Sequence, residues 1–279
     1  VRYKRYYKDP ECGQIKVYFL GDIHEGAANS RTDLLIKAVE IIKSEPNSYW
    51  VGMGDLIDAI NYHDKRFNVR EVSDKYKVSD LDNLPKVQAD YLLDILKPIA
   101  DGCLGILDGN HEDKIRQRDG FDVISYICGV LNAPCLGKKA YLSIGANVRG
   151  SRNRPFFMID LCVAHGSGGS GGKTPGGSIN KCVDIFQYDV ADVYVIGHCH
   201  GMACKSALRN EIRGNGVVKT KVYYGVTGTF LMKSSMDSDA YFEDGVGIET
   251  APGFLKMSFD AYASSKKDAN VTMMPVELM

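Results

Sequence analysis

Five of the six histidines in this 279-residue chain fall in four short clusters beside glycine, aspartate or asparagine. In chain order these read Gly21-Asp22-Ile23-His24, Gly109-Asn110-His111-Glu112, Ala164-His165-Gly166 and Gly197-His198-Cys199-His200. Between the first two lies Gly54-Asp55-Leu56-Ile57-Asp58. Imidazole nitrogens, carboxylates and a neutral amide oxygen form a donor set for first-row divalent ions, and hydrolysis is chemistry that such ions support. Asp22 and His24 are two residues apart, so on an extended segment both side chains face one way and can grip one ion. Asp55 has two oxygens with which to bridge two ions. Asn110 adds an amide oxygen, and His165, His198 and His200 add three imidazoles. That total suits two ions about 3.5–4 Å apart that share a carboxylate. A lone Asp-x-His or His-x-His is commonly a satisfied core or surface histidine; the joint occurrence of all five fragments is what points to a dinuclear site. On a strand end Cys199 would face away from its two histidine neighbours and pack.

The elements that must carry these residues are legible as apolar, β-rich runs just ahead of each cluster. Strands are expected over Ile15–Leu20, Tyr49–Met53 and Cys103–Leu107, then over Tyr141–Ile144, Phe156–Ala164, Val193–Ile196, Val217–Tyr224 and Phe254–Phe259. Asn215-Gly216 suits a hairpin turn between Ile212 and Val217. Helices are expected from a cap at Ser30 or Thr32 to about Ser44, from Leu84 to about Lys97, from Phe121 to Leu131 and from Ile179 to Tyr188. Pro85 fits the first turn of the second helix and Pro98 its end. Alternating β and α units followed by mainly β elements predict a single α/β domain over residues 1–279 with two sheets. In that layout every cluster falls past the C-terminal end of a strand, where open α/β sheets place ligands.

Composition narrows the function classes. Hydrophobic residues make up 44% and charged residues 25% of the chain, as in globular proteins, and the net charge of −1 gives no whole-protein attraction to nucleic acid or anionic membranes. Any nucleic-acid contact would therefore be local. No apolar run approaches the roughly 18 residues of a membrane span, and the basic, Tyr-rich N-terminus lacks the apolar stretch of a secretory signal. The eight cysteines form no CxxC pair, which suits reduced, packed thiols and a cytoplasmic location.

With these motifs in place, the series from Gly21-Asp22-Ile23-His24 to Gly197-His198-Cys199-His200 resembles the calcineurin-like metallophosphoesterase superfamily, over residues 22–200. The resemblance implies a two-sheet β-sandwich flanked by helices in four layers, with the metals at one sheet edge. It implies that Asp22, His24 and His200 bind one ion, Asn110, His165 and His198 the other, and that Asp55 bridges them. His111 matches the family's catalytic histidine, which does not bind metal, and Asp58 the acid that orients it. The ions, drawn from manganese, iron, zinc or nickel with manganese favoured, would make hydroxide available to attack phosphorus, with His111 serving the leaving oxygen.

Departures from the family pattern shape the substrate expectation. In the protein Ser/Thr phosphatase branch, Arg and Gly follow the acid matching Asp58, whereas Ala59-Ile60 stand here. The leading reading is a phosphate-ester hydrolase that acts on phosphodiesters. A DNA or RNA nuclease of the same superfamily and a non-catalytic scaffold are the alternatives. Arg116 and Arg118, close after His111, are candidate phosphate contacts against the simpler reading of an exposed face. Lys173 lies in a glycine-rich stretch from Ser167 to Ser178. Its Gly172-Lys173-Thr174 does not make a nucleotide-binding loop, because Ser167 stands where the first glycine belongs; a lid over the metals is the functional reading. His63 suits a solvated loop, and Arg149, Arg152 and Arg154 a local basic stretch.

Overall fold

The computed structural model describes residues 2–8, 13–58, 68, 70, 72–146, 157–167, 176–232, 251–263 and 265–278. In chain order the elements are β1 (Arg2–Lys8), β2 (Gln14–Leu20), α1 (Thr32–Ser44), β3 (Ser48–Gly52), α2 (Leu84–Leu96) and β4 (Cys103–Leu107). There follow α3 (Asn110–Asp119), α4 (Val123–Leu131), β5 (Cys135–Gly137), β6 (Lys139–Ala146), β7 (Ile159–Ala164), α5 (Gly177–Ile185) and β8 (Val193–Ile196). The chain closes with β9 (Ala203–Arg213), β10 (Gly216–Val226), β11 (Gly253–Asp260) and β12 (Thr272–Glu277).

These strands form two mixed six-stranded sheets, ordered β12-β11-β2-β3-β4-β5 and β1-β6-β7-β8-β10-β9. Period-two alternation assigns each strand's residues to two cores. On β2, Ile15, Val17 and Phe19 meet the other sheet, while Tyr18 and Leu20 meet helices. On β8, Val193 and Val195 face the other sheet, while Tyr194 and Ile196 pack toward α5 with Ile179 and Cys182. Three apolar layers therefore separate four structural layers: α1, α2 and α4, then the first sheet, the second sheet, and α5. The fold is α/β, a two-sheet sandwich flanked by helices. Trp50 lies in the outer core on the first sheet and donates its indole N–H to Ile99 O at 2.8 Å.

The sheets are parallel where it matters for a site. β2, β3 and β4 run side by side in parallel, as do β7, β8 and β10. The ends of β2, β3, β4, β7 and β8 thus release their following residues at one edge of the sandwich.

Local details differ from the sequence expectations for physical reasons. Arg31, not Ser30 or Thr32, is the N-cap of α1; the Ser30 hydroxyl donates to Ile23 O and that of Thr32 to the Glu25 carboxylate. Asp122 caps α4 by accepting from Ser125 N, so that helix begins later than Phe121. The hairpin turn is Gly214-Asn215, one residue before the expected pair, because Gly214 takes the left-handed φ of 58° and Arg213 pairs with Gly216. α3 is a polar helix with Ile115 as its buried aliphatic side chain, so no apolar stripe announces it. β1 is an edge strand in parallel register with β6, its Tyr6 hydroxyl reaching Leu104 O. No helix among the described residues is long and apolar enough to cross a membrane.

Candidate metal centre

The loops that follow β2 and β3 run alongside each other as an irregular continuation of the sheet. Asp22 N donates to Gly54 O, His24 N to Asp55 O and Glu25 N to Leu56 O, each at 3.0 Å. His198 N, after β8, donates to both oxygens of Asp22 at 3.0 and 2.9 Å, which ties the second sheet to the first. The Asp22 backbone carbonyl accepts from Phe230 N at 3.0 Å and from the Thr229 hydroxyl at 2.8 Å.

Two donor groups result. Asp22, His24 and His200 bring one ligand atom each within 4.8 Å of one another, as do Asp55, His165 and His198. His200 Nε2 lies 3.3 Å from Asp22 Oδ1 and 3.3 Å from His24 Nε2. In the second group His165 Nε2 lies 3.2 Å from Asp55 Oδ2 and 3.1 Å from Asn110 Oδ1. The same Asp55 Oδ2 is 4.0 Å from His24 Nε2, so this carboxylate stands between the groups. His165 Nδ1 is 2.7 Å from Met53 O; donating there leaves Nε2 as the lone-pair atom that faces the cluster.

The backbone at these donors is unusual. Asp22, His24, Asp55, His198 and His200 all have positive φ, between 49° and 66°. The other positive-φ non-glycine residues described are Asn47, Asn132 and Asn270. Asp and His tolerate this region better than most residues, yet it is sparsely populated, and such conformations gather at functional sites. The expected mechanism of co-facing, an extended Asp-x-His segment, is thus replaced by two left-handed residues flanking Ile23. Close packing adds its own demand: a Cβ at Gly54 would lie 2.7 Å from His165 Nδ1 and 2.9 Å from Gly109 Cα.

His111 opens the first turn of α3 directly after β4. Its N–H donates to Asp55 Oδ1 at 3.0 Å, and its Nδ1 contacts Asp58 O. The Asp58 carboxylate is less committed than its expected role implies, since Oδ1 sits 3.8 Å from both His111 Nδ1 and His24 Nδ1. His24, Asp58 and His111 form a third close group. The backbone carbonyl of Asp58, rather than its side chain, makes the direct contact with His111.

Burial and charge set the protonation pattern of the metal-free chain. Burial opposes ionisation of Asp22 and Asp55, at 0% and 1% exposure, but neighbouring imidazoles win. His200 holds Asp22 below the usual carboxylate range, and His165 holds Asp55 well below it. Burial lowers and Asp55 raises His165, with a net rise to about 10. For His24 the acids also outweigh burial and the shift is upward, whereas burial dominates at His111 and lowers it. A proton on His165 therefore occupies the place of a cation, and metal loading must displace it. Two buried carboxylates faced by imidazoles, with an amide oxygen beside them, fit a pair of divalent ions in donor type and number.

Glu112 has a role that its place in the motif did not disclose. It is buried, and its carboxylate accepts from Asp55 N at 3.2 Å, Leu56 N at 2.6 Å and Ile57 N at 3.2 Å. Burial and the nearby Asp55 charge push it up to about 7 despite those donors. A Cβ at Gly109 would overlap this bracket at Asp55 N and Glu112 Oε2. Only the fold could reveal it, because the partners are more than fifty residues apart in sequence.

The remaining candidates sit elsewhere. The Arg116 guanidinium faces Asp108, Asp113 and Asp122, and Arg118 pairs with Asp119. Cys199 is buried in the core against α5, where burial pushes its thiol up to about 11. Lys173 lies outside the described residues, as do His63, Arg149, Arg152 and Arg154.

No family model and no curated protein sequence matches the chain. Among solved structures it is similar to Vps29 of Chaetomium thermophilum, with a TM-score of 0.38 and 11% identity, covering 94% of this chain and 95% of that one. It is also similar to nuclease MPE of Pseudomonas putida, with a TM-score of 0.33 and 10% identity, covering 93% of this chain and 87% of that one. At such scores a functional reading must rest on the side chains of this chain.

Proposed function

We propose that the chain is a dimetal phosphoesterase of the calcineurin-like metallophosphoesterase superfamily, with phosphodiesters as its preferred substrates. One observation carries the reading: Asp22, His24, Asp55, Asn110, His165, His198 and His200 converge from five strand ends of two sheets, five of them with positive φ. A structural site closes four ligands around one ion, whereas this cluster offers more donors and holds a further imidazole, His111, beside them.

When bound, two divalent ions supply Lewis acidity that offsets phosphoryl charge and acidifies water. Asp22, His24 and His200 would hold one ion, Asn110, His165 and His198 the other, and Asp55 both. Manganese is the first choice, since three of the donors are carboxylate or amide oxygens. His111 gives Nδ1–H to the Asp58 carbonyl, which fixes the ring and leaves Nε2 for the substrate. Burial keeps that imidazole neutral at pH 7 in the free chain, and the negative charge of an arriving phosphoryl group favours its protonation. His111 then passes the Nε2 proton to the departing alkoxide, with Asp58 Oδ1 close enough to stabilise the imidazolium.

The test combines metal analysis with a substrate panel of bis-p-nitrophenyl phosphate, p-nitrophenyl phosphate, and single- and double-stranded DNA. Metal-dependent hydrolysis with the diester ahead of the monoester is expected. Inactivity on every substrate with two ions bound would overturn the proposal in favour of a scaffold. Salt-dependent cleavage of DNA outpacing the small diester would move the substrate to nucleic acid.

A further inference from the structure

The β9–β10 hairpin takes no part in the chemistry above, yet it is the longest strand pairing among the described residues, with 11 residues in each strand. β10 joins β8 only over Tyr223–Val226, so the rest of the hairpin extends past the sheet, and β9 is the sheet's edge. Cys204 and Tyr223 pack with the core between the sheets. Alternation and register place Leu208, Asn210 and Ile212, with Val217, Lys219 and Lys221 opposite them, on that same face. There the covering sheet has ended: Leu208 is 65%, Ile212 85% and Val217 68% exposed. A long edge strand that exposes apolar side chains and is left unpaired among the described residues is a template for pairing with another chain.

The sequence of the edge says which chain. Leu208-Arg209-Asn210-Glu211-Ile212 reads apolar, cation, amide, anion, apolar, and is complementary to itself when reversed. We infer that β9 is a homodimer interface, pairing antiparallel with β9 of a second copy about a two-fold axis at Asn210. This register sets Leu208 against the partner's Ile212 and Arg209 against the partner's Glu211, each pair occurring twice. Arg209 already reaches Glu211 in its own strand at 2.6 Å, so the interface assembles four alternating charges. Moving the axis by one residue sets Arg209 or Glu211 against its own copy, and charge selects against both registers. The paired edges make one sheet run through both copies. Leu208 of each copy then meets the partner's Ile212 with Val217 beside it, forming two apolar rows related by the axis with the Asn210 pair between them. Because β10 runs parallel to β8 toward the metal edge, the hairpin tip points the other way, and the interface is remote from the metal centre.

Sedimentation velocity of the full chain over roughly 1–200 µM should show a concentration-dependent dimer, as a small interface of micromolar affinity would. Leu208→Lys combined with Ile212→Lys sets lysine against lysine and should weaken the dimer at least tenfold. Leu208→Lys combined with Ile212→Glu sets opposite charges together and should keep it. All these positions are exposed, and unchanged thermal unfolding and unchanged diester hydrolysis would show that the fold and site are intact. Asn210→Cys, on the axis, should cross-link the dimer on mild oxidation, while Leu208→Cys should not. A monomer at every concentration, a dimer indifferent to the double lysine variant, or cross-linking at Leu208→Cys in place of Asn210→Cys would overturn the inference.

Discussion

The two sheets meet at the candidate metal centre but contribute in different ways. The first sends Asp22, His24, Asp55 and Asn110, together with His111, Asp58 and Glu112, from the ends of β2, β3 and β4. The second sends three imidazoles, His165, His198 and His200, from β7 and β8. The first-sheet loops brace one another, through the Asp22–Gly54 and His24–Asp55 backbone bonds and the Glu112 bracket around residues 55–57. The second-sheet residues are held largely by reaching across, His198 N to Asp22 and His165 Nδ1 to Met53 O. The first sheet therefore builds a preorganised charged frame, and the second completes it. Losing the shared carboxylate of the frame, Asp55, should cost both ions, while losing a completing imidazole should cost one.

The largest effect separates those two cases. Asp55→Ala removes the carboxylate standing between the groups, so both ions should be lost and turnover should fall by at least about a thousandfold. His200→Ala should retain one ion per chain. Metal stoichiometry by elemental analysis decides it, and two ions on the Asp55→Ala protein would break the comparison. Next in size, His111→Ala should slow turnover roughly a hundredfold or more with metal content unchanged. Loss of metal on that substitution would instead make His111 part of the frame.

Glu112 sharpens the comparison from within the first sheet, since it touches the frame only through backbone N–H groups. Glu112→Ala leaves three buried donors, Asp55 N among them, without their acceptor. Metal affinity should drop about 10–100-fold, the range seen when groups that orient ligands are removed. Titration of the metal-free variant with Mn2+ measures this, and wild-type affinity would show that the bracket does not position Asp55.

How much of this was legible in the sequence follows from burial. β4 and β8 occupy the stretches expected, Cys103–Leu107 and Val193–Ile196, because strands covered on both faces write themselves as unbroken apolar runs. The strands that escaped notice are edges: β1 alternates tyrosine with lysine and arginine, and β12 carries Pro275 among polar residues and methionines. β9 reads as a polar stretch for the same reason, and α3 has too little apolar surface for a helical period. Within the site, side-chain chemistry exposed the donors, but their positive φ was invisible, since Asp-x-His spacing suits a plain extended strand equally well. The Glu112 bracket and the Asp58 carbonyl contact depend on backbone atoms, which carry no sequence signature.

The smallest effect comes from the far end of the first sheet, where β2 and β3 begin. Glu45 sits between Lys256 at 2.7 Å and Lys16 at 3.0 Å. Burial opposes its charge, but the two ammonium groups prevail and hold the carboxyl below its ordinary range. A carboxyl lowered in the folded state adds stability above its unfolded value, near 4.3, and loses it as pH falls through the folded value. Lys256→Ala should therefore lower stability at pH 7 by no more than about 1 kcal/mol, as expected for a partly exposed pair. The difference from the parent protein should shrink as the solution is acidified below about pH 4. Urea unfolding at both pH values reads this directly. A Lys256→Ala deficit that persisted in acid would assign the lysine's contribution to its ammonium over the Tyr18 ring rather than to the pair with Glu45, while metal content should be unmoved in either case.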